Sequence, residues 1–229
     1  MPDCILRKKK IKFVRPGMKT KIIKINPQLV EPKKVQRTVK VLSEGGLVVY
    51  PTETFYGLGA AALSPRAIRR IYRLKKRDRA KPLLVLVSGL EMVEEITRSI
   101  PPVFWPLAQE FWPGPLTLVL KASPDLPLEL TGARRTIGVR LPDVAWLREV
   151  VRQLAFPLTA TSANISGEKE ISEPTEAARI FEGKVDLIVN GGKTRGILPS
   201  TVIDLSGKIP AILREGAIQR SKLIKYLKS

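Results

Sequence analysis

The sequence predicts an α/β fold, a single domain in which a twisted mixed or parallel sheet is flanked by helices. Three observations carry this. Short apolar runs of strand length alternate with segments whose apolar residues recur at helical spacing. The 229 residues, 44% of them hydrophobic, supply enough apolar surface for one sizeable core. No internal repeat or low-complexity linker marks a boundary, apart from a basic N-terminal extension over residues 1–17. Residues 18–229 therefore read as one domain.

The elements follow in order. Residues 20–25 read as a short strand, and from residue 33 Val35, Val39 and Leu42 space a helix that stops at Gly45-Gly46. Residues 47–50 form a continuous apolar strand that Pro51 ends. Residues 51–59 read as a loop. Ser64-Pro65 starts the next helix, with a hydroxyl cap and proline in the first turn, and Ala67, Ile68, Ile71, Tyr72 and Leu74 give it an apolar face. Residues 83–87 are again an apolar strand. Further strands are expected at 116–121, 137–140, 157–161, 185–189, 201–205 and 209–213. Helices are expected at 90–98, 102–111, 143–155, 174–182 and 218–227.

Composition narrows the chemistry. The chain contains no histidine and one cysteine, Cys4. That removes Ser-His-Asp hydrolysis, histidine general acid–base catalysis, zinc fingers and an intrachain disulfide. No protein side chains read as a metal site. What remains is chemistry on carboxylates, hydroxyls, Lys/Arg, a hard cation such as Mg²⁺, or the substrates' own groups. No run of about 18 apolar residues exists to span a membrane, and the N-terminus lacks an apolar signal region, so the cytoplasm is the expected compartment. The net charge of +19 has two readings: an anionic partner, or the Lys-rich solvated surface of a heat-adapted protein. Arg7, Lys8, Lys9, Lys10, Lys12 and Arg15 in the extension read as a basic arm for RNA or as an extended start.

Several segments could bear a site. Thr52, Glu53, Thr54, Gly57 and Gly59 follow a buried strand, where open α/β sheets bind ligands. Gly57 and Gly59 lie too far beyond that strand for a dinucleotide fingerprint. Lys75, Lys76, Arg77, Arg79 and Lys81 either close a helix C-terminus or converge on a polyphosphate. Gly191-Gly192-Lys193-Thr194 resembles the end of a P-loop, but Leu187 stands where its first glycine is required. Small hydroxyl and amide side chains over residues 159–167 suit phosphate or ribose oxygens, or a turn. Arg140 ends an otherwise apolar strand, as a carboxylate-binding residue could.

Taken in order, Pro51-Thr52-Glu53-Thr54 through Tyr56-Gly57-Leu58-Gly59, Lys75-x-Arg77, Trp112-Pro113-Gly114-Pro115-Leu116-Thr117, Gly138-Val139-Arg140-Leu141-Pro142, Ser162-Ala163-Asn164, Ser200-Thr201-Val202-Ile203-Asp204 and Leu213-Arg214-Glu215-Gly216 resemble the YrdC family of threonylcarbamoyl-AMP synthases, over roughly residues 20–218. The resemblance implies a YrdC-like domain with a concave basic face. It also implies a nucleotidyltransferase that joins L-threonine, bicarbonate and ATP, with Mg²⁺, into threonylcarbamoyl-AMP and pyrophosphate. The intermediate would pass to a separate transferase complex that modifies adenosine in tRNA. By the same resemblance Lys75 and Arg77 are catalytic, and Arg77, Lys81, Thr136, Ser162, Asn164, Ser172 and Arg214 hold ATP. Thr54, Arg140, Ala160 and Ser200 line the threonine site. Two departures stand out: Leu86 replaces a histidine common in relatives, and Lys81 replaces an asparagine. The resemblance implies the short form of the family.

This chemistry needs no histidine or cysteine nucleophile, only positioning and neutralised phosphate charge. Two other readings stand beside it. A module binding double-stranded RNA or tRNA fits the net charge, although only 6% of residues are aromatic and stacking platforms are few. A same-fold enzyme handling a different carbamoyl-adenylate is the third.

Overall fold

The computed structural model describes residues 19–78 and 81–227. The basic extension and Arg79 lie outside the described residues.

The chain alternates strands and helices as its pattern demands. Strand β1 (Lys21–Lys24) leads to α1 (Pro32–Ser43), which starts with proline in its first turn. Gly45, at φ +78°, turns the chain into β2 (Val48–Tyr50). Next come β3 (Gly57–Gly59) and α2 (Pro65–Lys75), whose cap is the Ser64 hydroxyl accepting from the Ala67 amide at 3.3 Å. β4 (Leu84–Leu86), α3 (Leu90–Ile96), β5 (Thr97–Ser99), α4 (Phe104–Phe111) and β6 (Leu116–Ala122) follow. The second half comprises α5 (Leu128–Thr131), β7 (Thr136–Arg140), α6 (Ala145–Leu154), β8 (Leu158–Ser162), α7 (Pro174–Phe181) and β9 (Leu187–Asn190). It ends with β10 (Thr201–Asp204), β11 (Ala211–Arg214) and α8 (Arg220–Leu227).

The strands form one mixed sheet in the order β1-β9-β2-β3-β8-β4-β7-β6-β10-β11, with β5 beside β6. β1 and β2 pair parallel to β9, β4 to β7, and β10 to β6; the remaining pairs are antiparallel. Apolar stripes bury the helices on this sheet: Val35 and Leu42 of α1, Ile68 and Ile71 of α2, and Trp146, Leu147 and Val151 of α6 are all buried. No helix among the described residues is long and apolar enough to cross a membrane.

Three elements differ from the sequence reading. Residues 57–59, expected in a loop, are strand β3, inserted antiparallel between β2 and β8. Glycine makes this possible. A Cβ on Gly59 would stand 2.1 Å from the Thr159 carbonyl, and one on Gly57 would stand 2.7 Å from the Tyr50 ring. A Gly-x-Gly segment scores poorly as strand, yet only glycine leaves room here for the Thr159 carbonyl and the Tyr50 ring. The helix expected over 90–98 stops at Ile96, and Thr97 turns into β5, which pairs with β6 through an irregular register. The single turn α5 carries no periodic signal because it spans only four residues.

Candidate functional site

Side chains on a strand alternate faces, so residues two apart share one. The face shared by the middle strands walls a cavity of about 690 Å³, within the roughly 300–1,000 Å³ usual for small-molecule sites. β6 contributes Thr117 and Val119; β7 contributes Thr136, Gly138 and Arg140; β10 contributes Val202 and Asp204, and Ser200 stands just before it. β8 adds Ala160 and Ser162, and β4 adds Leu84. Thr52, Thr54 and Tyr56 line the cavity from the segment between β2 and β3, Arg77 from beyond α2, and Leu213 and Arg214 from β11.

Arg140 is buried, at 6% exposure. Its partner is Glu53, with Arg140 Nε 3.6 Å from Glu53 Oε1 and both side chains nearly enclosed. No protein group hydrogen-bonds that Nε or either Glu53 oxygen. A fixed cation held by a buried counter-charge, beside the Thr52 and Thr54 hydroxyls, suits a small carboxylate. The Thr52 hydroxyl donates to the Phe55 carbonyl at 2.7 Å and accepts from the Thr54 amide at 3.1 Å, which fixes this edge of the cavity.

Arg77 and Arg214 form the cationic part of the wall. Arg77 Nε and Nη2 donate to the carbonyls of Lys81 and Pro82, each at 3.1 Å. Arg214 donates from Nε and Nη2 to the Ser200 carbonyl at 3.0 and 2.8 Å, and from Nη2 to the Ser200 hydroxyl at 3.0 Å. Ser200 in turn shares a hydrogen bond with Thr117 at 3.0 Å. Two guanidiniums pinned on one edge keep their remaining N–H groups for an anion.

Lys75 has a different place. It closes α2, where a cation suits the helix dipole, and its side chain is 1% exposed. Nζ donates to the Ser162 carbonyl, to the Asn164 carbonyl at 2.6 Å and to Asn164 Oδ1 at 2.9 Å, which uses all three of its N–H bonds. The Ser162 hydroxyl donates to the same Asn164 oxygen at 2.7 Å. Burial pulls the Lys75 pKa down to about 8; the Arg77 charge adds to this and Glu170 opposes it.

The residues singled out from the sequence divide accordingly. Thr54, Arg77, Thr136, Arg140, Ala160, Ser162, Ser200 and Arg214 line the cavity. Lys75, Lys81, Asn164 and Ser172 do not. Lys75 and Asn164 lie behind Ser162 and hold it. Lys81 supplies a carbonyl to Arg77 and to the Tyr72 hydroxyl, with the rest of the residue exposed. The Ser172 carbonyl accepts from the Thr194 amide at 3.0 Å. Leu86 is fully buried and off the wall, whereas Leu84 lines it. Gly191-Gly192 is a loop clamped by Tyr56, whose hydroxyl donates to the Gly192 carbonyl at 2.7 Å; β10, not a helix, is the next element. The wall also includes Thr117, Arg134, Glu170 and Asp204. Thr117 and Asp204 were visible as period-two positions of expected strands, whereas Glu170 stands in a polar stretch with no period to read.

Comparison with known proteins places this geometry in a family. The Sua5/YciO/YrdC family profile, described as telomere recombination, matches residues 40–216. A threonylcarbamoyl-AMP synthase of Pyrococcus abyssi is 38% identical over 198 residues, covering 86% of this chain and 58% of that protein. A putative threonylcarbamoyl-AMP synthase of Methanocaldococcus jannaschii is 34% identical over 212 residues, 91% of this chain and 99% of its own. The crystal structure of P. abyssi Sua5 complexed with L-threonine superposes with a TM-score of 0.86 at 38% identity, covering 91% of this chain and 61% of that one. The chain thus spans just under three fifths of the P. abyssi relative.

Proposed function

The chain belongs to the Sua5/YciO/YrdC family, and on that premise we propose that it makes L-threonylcarbamoyl-AMP from L-threonine, bicarbonate and ATP. Pyrophosphate is the second product, and the adenylate serves threonylcarbamoyl modification of adenosine in tRNA. The observation that carries this reading is one cavity joining a buried arginine among small hydroxyls to a pair of pinned guanidiniums. That arrangement can hold a carboxylate beside a polyphosphate.

Arg140, Thr54, Ala160 and Ser200 form the threonine subsite, with Arg140 taking the α-carboxylate. Arg77, Arg214, Ser162 and Thr136 hold the nucleotide, with Asn164, Lys81 and Ser172 supporting them from behind. The threonine amine captures the one-carbon unit of bicarbonate with loss of water. An oxygen of the resulting carbamate then forms a bond to the α-phosphorus as the bond to pyrophosphate breaks. Arg77 and Arg214 offset the charge that grows on phosphate, and preorganised donors of this kind supply most of the rate. Lys75 acts as a positioning residue through Ser162 and Asn164. Among the described residues no three His, Cys, Asp or Glu side chains gather to hold a metal ion, and Mg²⁺ would enter on the triphosphate, neutralising part of its charge. The product is an adenylate, so a separate transferase must consume it in the cytoplasm. Residues 18–229 form the catalytic unit in this reading. The net charge of +19 supports a weak contact with tRNA that falls steeply with salt.

The test is pyrophosphate release from Mg-ATP, threonine and bicarbonate, with mass detection of the adenylate made from labelled bicarbonate. Release no higher than in a control lacking threonine defeats the reading. Arg77→Ala is expected to lower turnover by about 10²–10³, the usual cost of one charge-stabilising donor.

A further inference from the structure

Two carboxylates on the cavity wall, Glu170 and Asp204, are left idle by the chemistry above, and Asp204 is engaged by the Ser206 amide and hydroxyl at 2.8 and 2.6 Å. Glu170 lines the wall together with Arg77, Arg214 and Ser162. The segment that bears it is tied down on both sides. Asn164 Nδ2 donates to the Glu168 carbonyl at 2.6 Å, and the Ile171 carbonyl accepts from the Tyr56 amide at 2.8 Å. None of the hydrogen bonds or close ion pairs among the described residues engages the Glu170 side chain. Its field nonetheless reaches its neighbours. Burial lowers the pKa of Arg214, Glu170 raises it again, and Arg140 and Arg77 lower it further. Glu170 likewise opposes the fall at Lys75.

We propose that Glu170 is an electrostatic counterweight in the anion subsite, which loosens the hold on pyrophosphate so that the product can leave. This rests on the adenylation reading above. Arginines fixed to neutralise a triphosphate attract pyrophosphate by the same charges. Binding substrate and product equally tightly does nothing for the chemical step and slows release. A carboxylate fixed among the cations subtracts from the affinity for every phosphate ligand. Its position on a tethered segment, away from any bonded partner, lets it act at a distance without blocking the guanidinium N–H groups.

The sign of the effect separates this role from others. Losing a structural or ligand-binding side chain weakens binding, whereas losing a counterweight tightens it. Titration calorimetry with inorganic pyrophosphate, without metal, is therefore expected to show Glu170→Gln binding about tenfold more tightly than the natural protein. The gain should shrink in high salt, and Glu170→Asp, which keeps the charge, should stay close to the natural protein. Glu176→Gln removes the same charge from exposed α7, where Arg179 is 4.0 Å away, and should change nothing. In turnover, pyrophosphate should become a correspondingly stronger inhibitor of Glu170→Gln. Should that variant melt abnormally, Glu170→Ala replaces it with the same expectation. Unchanged or weaker pyrophosphate binding overturns the proposal. So does a raised Mg²⁺ requirement with weaker Mg-pyrophosphate binding, which would make Glu170 a metal ligand. The binding comparison needs no turnover, so failure of the natural protein to release pyrophosphate from ATP would count against the function alone.

Discussion

Replacing Lys75 by methionine keeps most of the side-chain volume and removes one ammonium. The three acceptors that met it, the Ser162 and Asn164 carbonyls and Asn164 Oδ1, then face an apolar thioether. Hydrogen bonds to a charged donor are worth about 1.5–3 kcal/mol each, so losing three costs about 4–9 kcal/mol. Against this, the buried ammonium is itself costly. Its pKa falls from 10.5 to about 8, equivalent to about 3 kcal/mol at neutral pH. The difference leaves Lys75→Met destabilised by about 1–6 kcal/mol, a range that begins at the size of an ordinary mutation and ends at an exceptional one. Urea unfolding followed by circular dichroism reads this directly. Pyrophosphate release should fall further than stability predicts, because Ser162 loses the group that orients it. A variant within about 0.5 kcal/mol of the natural protein and with normal turnover would refute both the bond accounting and the positioning role.

The same ammonium predicts a pH dependence. Because the folded pKa lies below the unfolded one, the unfolded chain holds more protons between about pH 8 and 10.5, and stability from this group rises through that window. Activity, by contrast, should fall above about pH 8 as one of three donors is lost; parallel rate and melting measurements check that the two diverge. Glu53→Gln leaves Arg140 as an uncompensated buried charge and should cost about 3–5 kcal/mol by denaturant unfolding, while raising the KM for threonine and leaving the KM for ATP unchanged. Gly59→Ala drives a methyl against the Thr159 carbonyl, 2.1 Å away. It should lower stability by more than about 1–3 kcal/mol in a melt, since backbone cannot yield as a side chain can. Ser64→Ala should cost about 1 kcal/mol, measured by the same melt.

Most elements were legible because their signals are local. Ser64-Pro65 announced α2, and the apolar runs announced β2, β4, β6 and β7 to within a residue or two. β3 was not legible, since its strand character comes from how closely Tyr50 and Thr159 approach rather than from its own side chains. On the cavity wall, Arg140 was legible as a charge ending an apolar strand and Arg77 as part of a basic run, whereas Arg214 was singled out only through the family resemblance. The burial of Lys75 could be read only from helical register: it stands on the face of Ile68, Ile71 and Tyr72, whereas Lys76, one residue on, is exposed. The idle state of Glu170 was hidden as well, because it depends on segments far away in sequence meeting around it.

The order of strands has a bearing on how the molecule comes into being. β9, made near the end of the chain, lies between β1 and β2, and β8 lies between β3 and β4. The first hundred residues therefore cannot complete their own sheet while the ribosome is still making the rest. Contacts this distant along the chain close slowly, and the backbone N–H and C=O groups along these edges of β2 and β4 stay unpaired until the late strands arrive. Until then those edges are open to pairing with other chains.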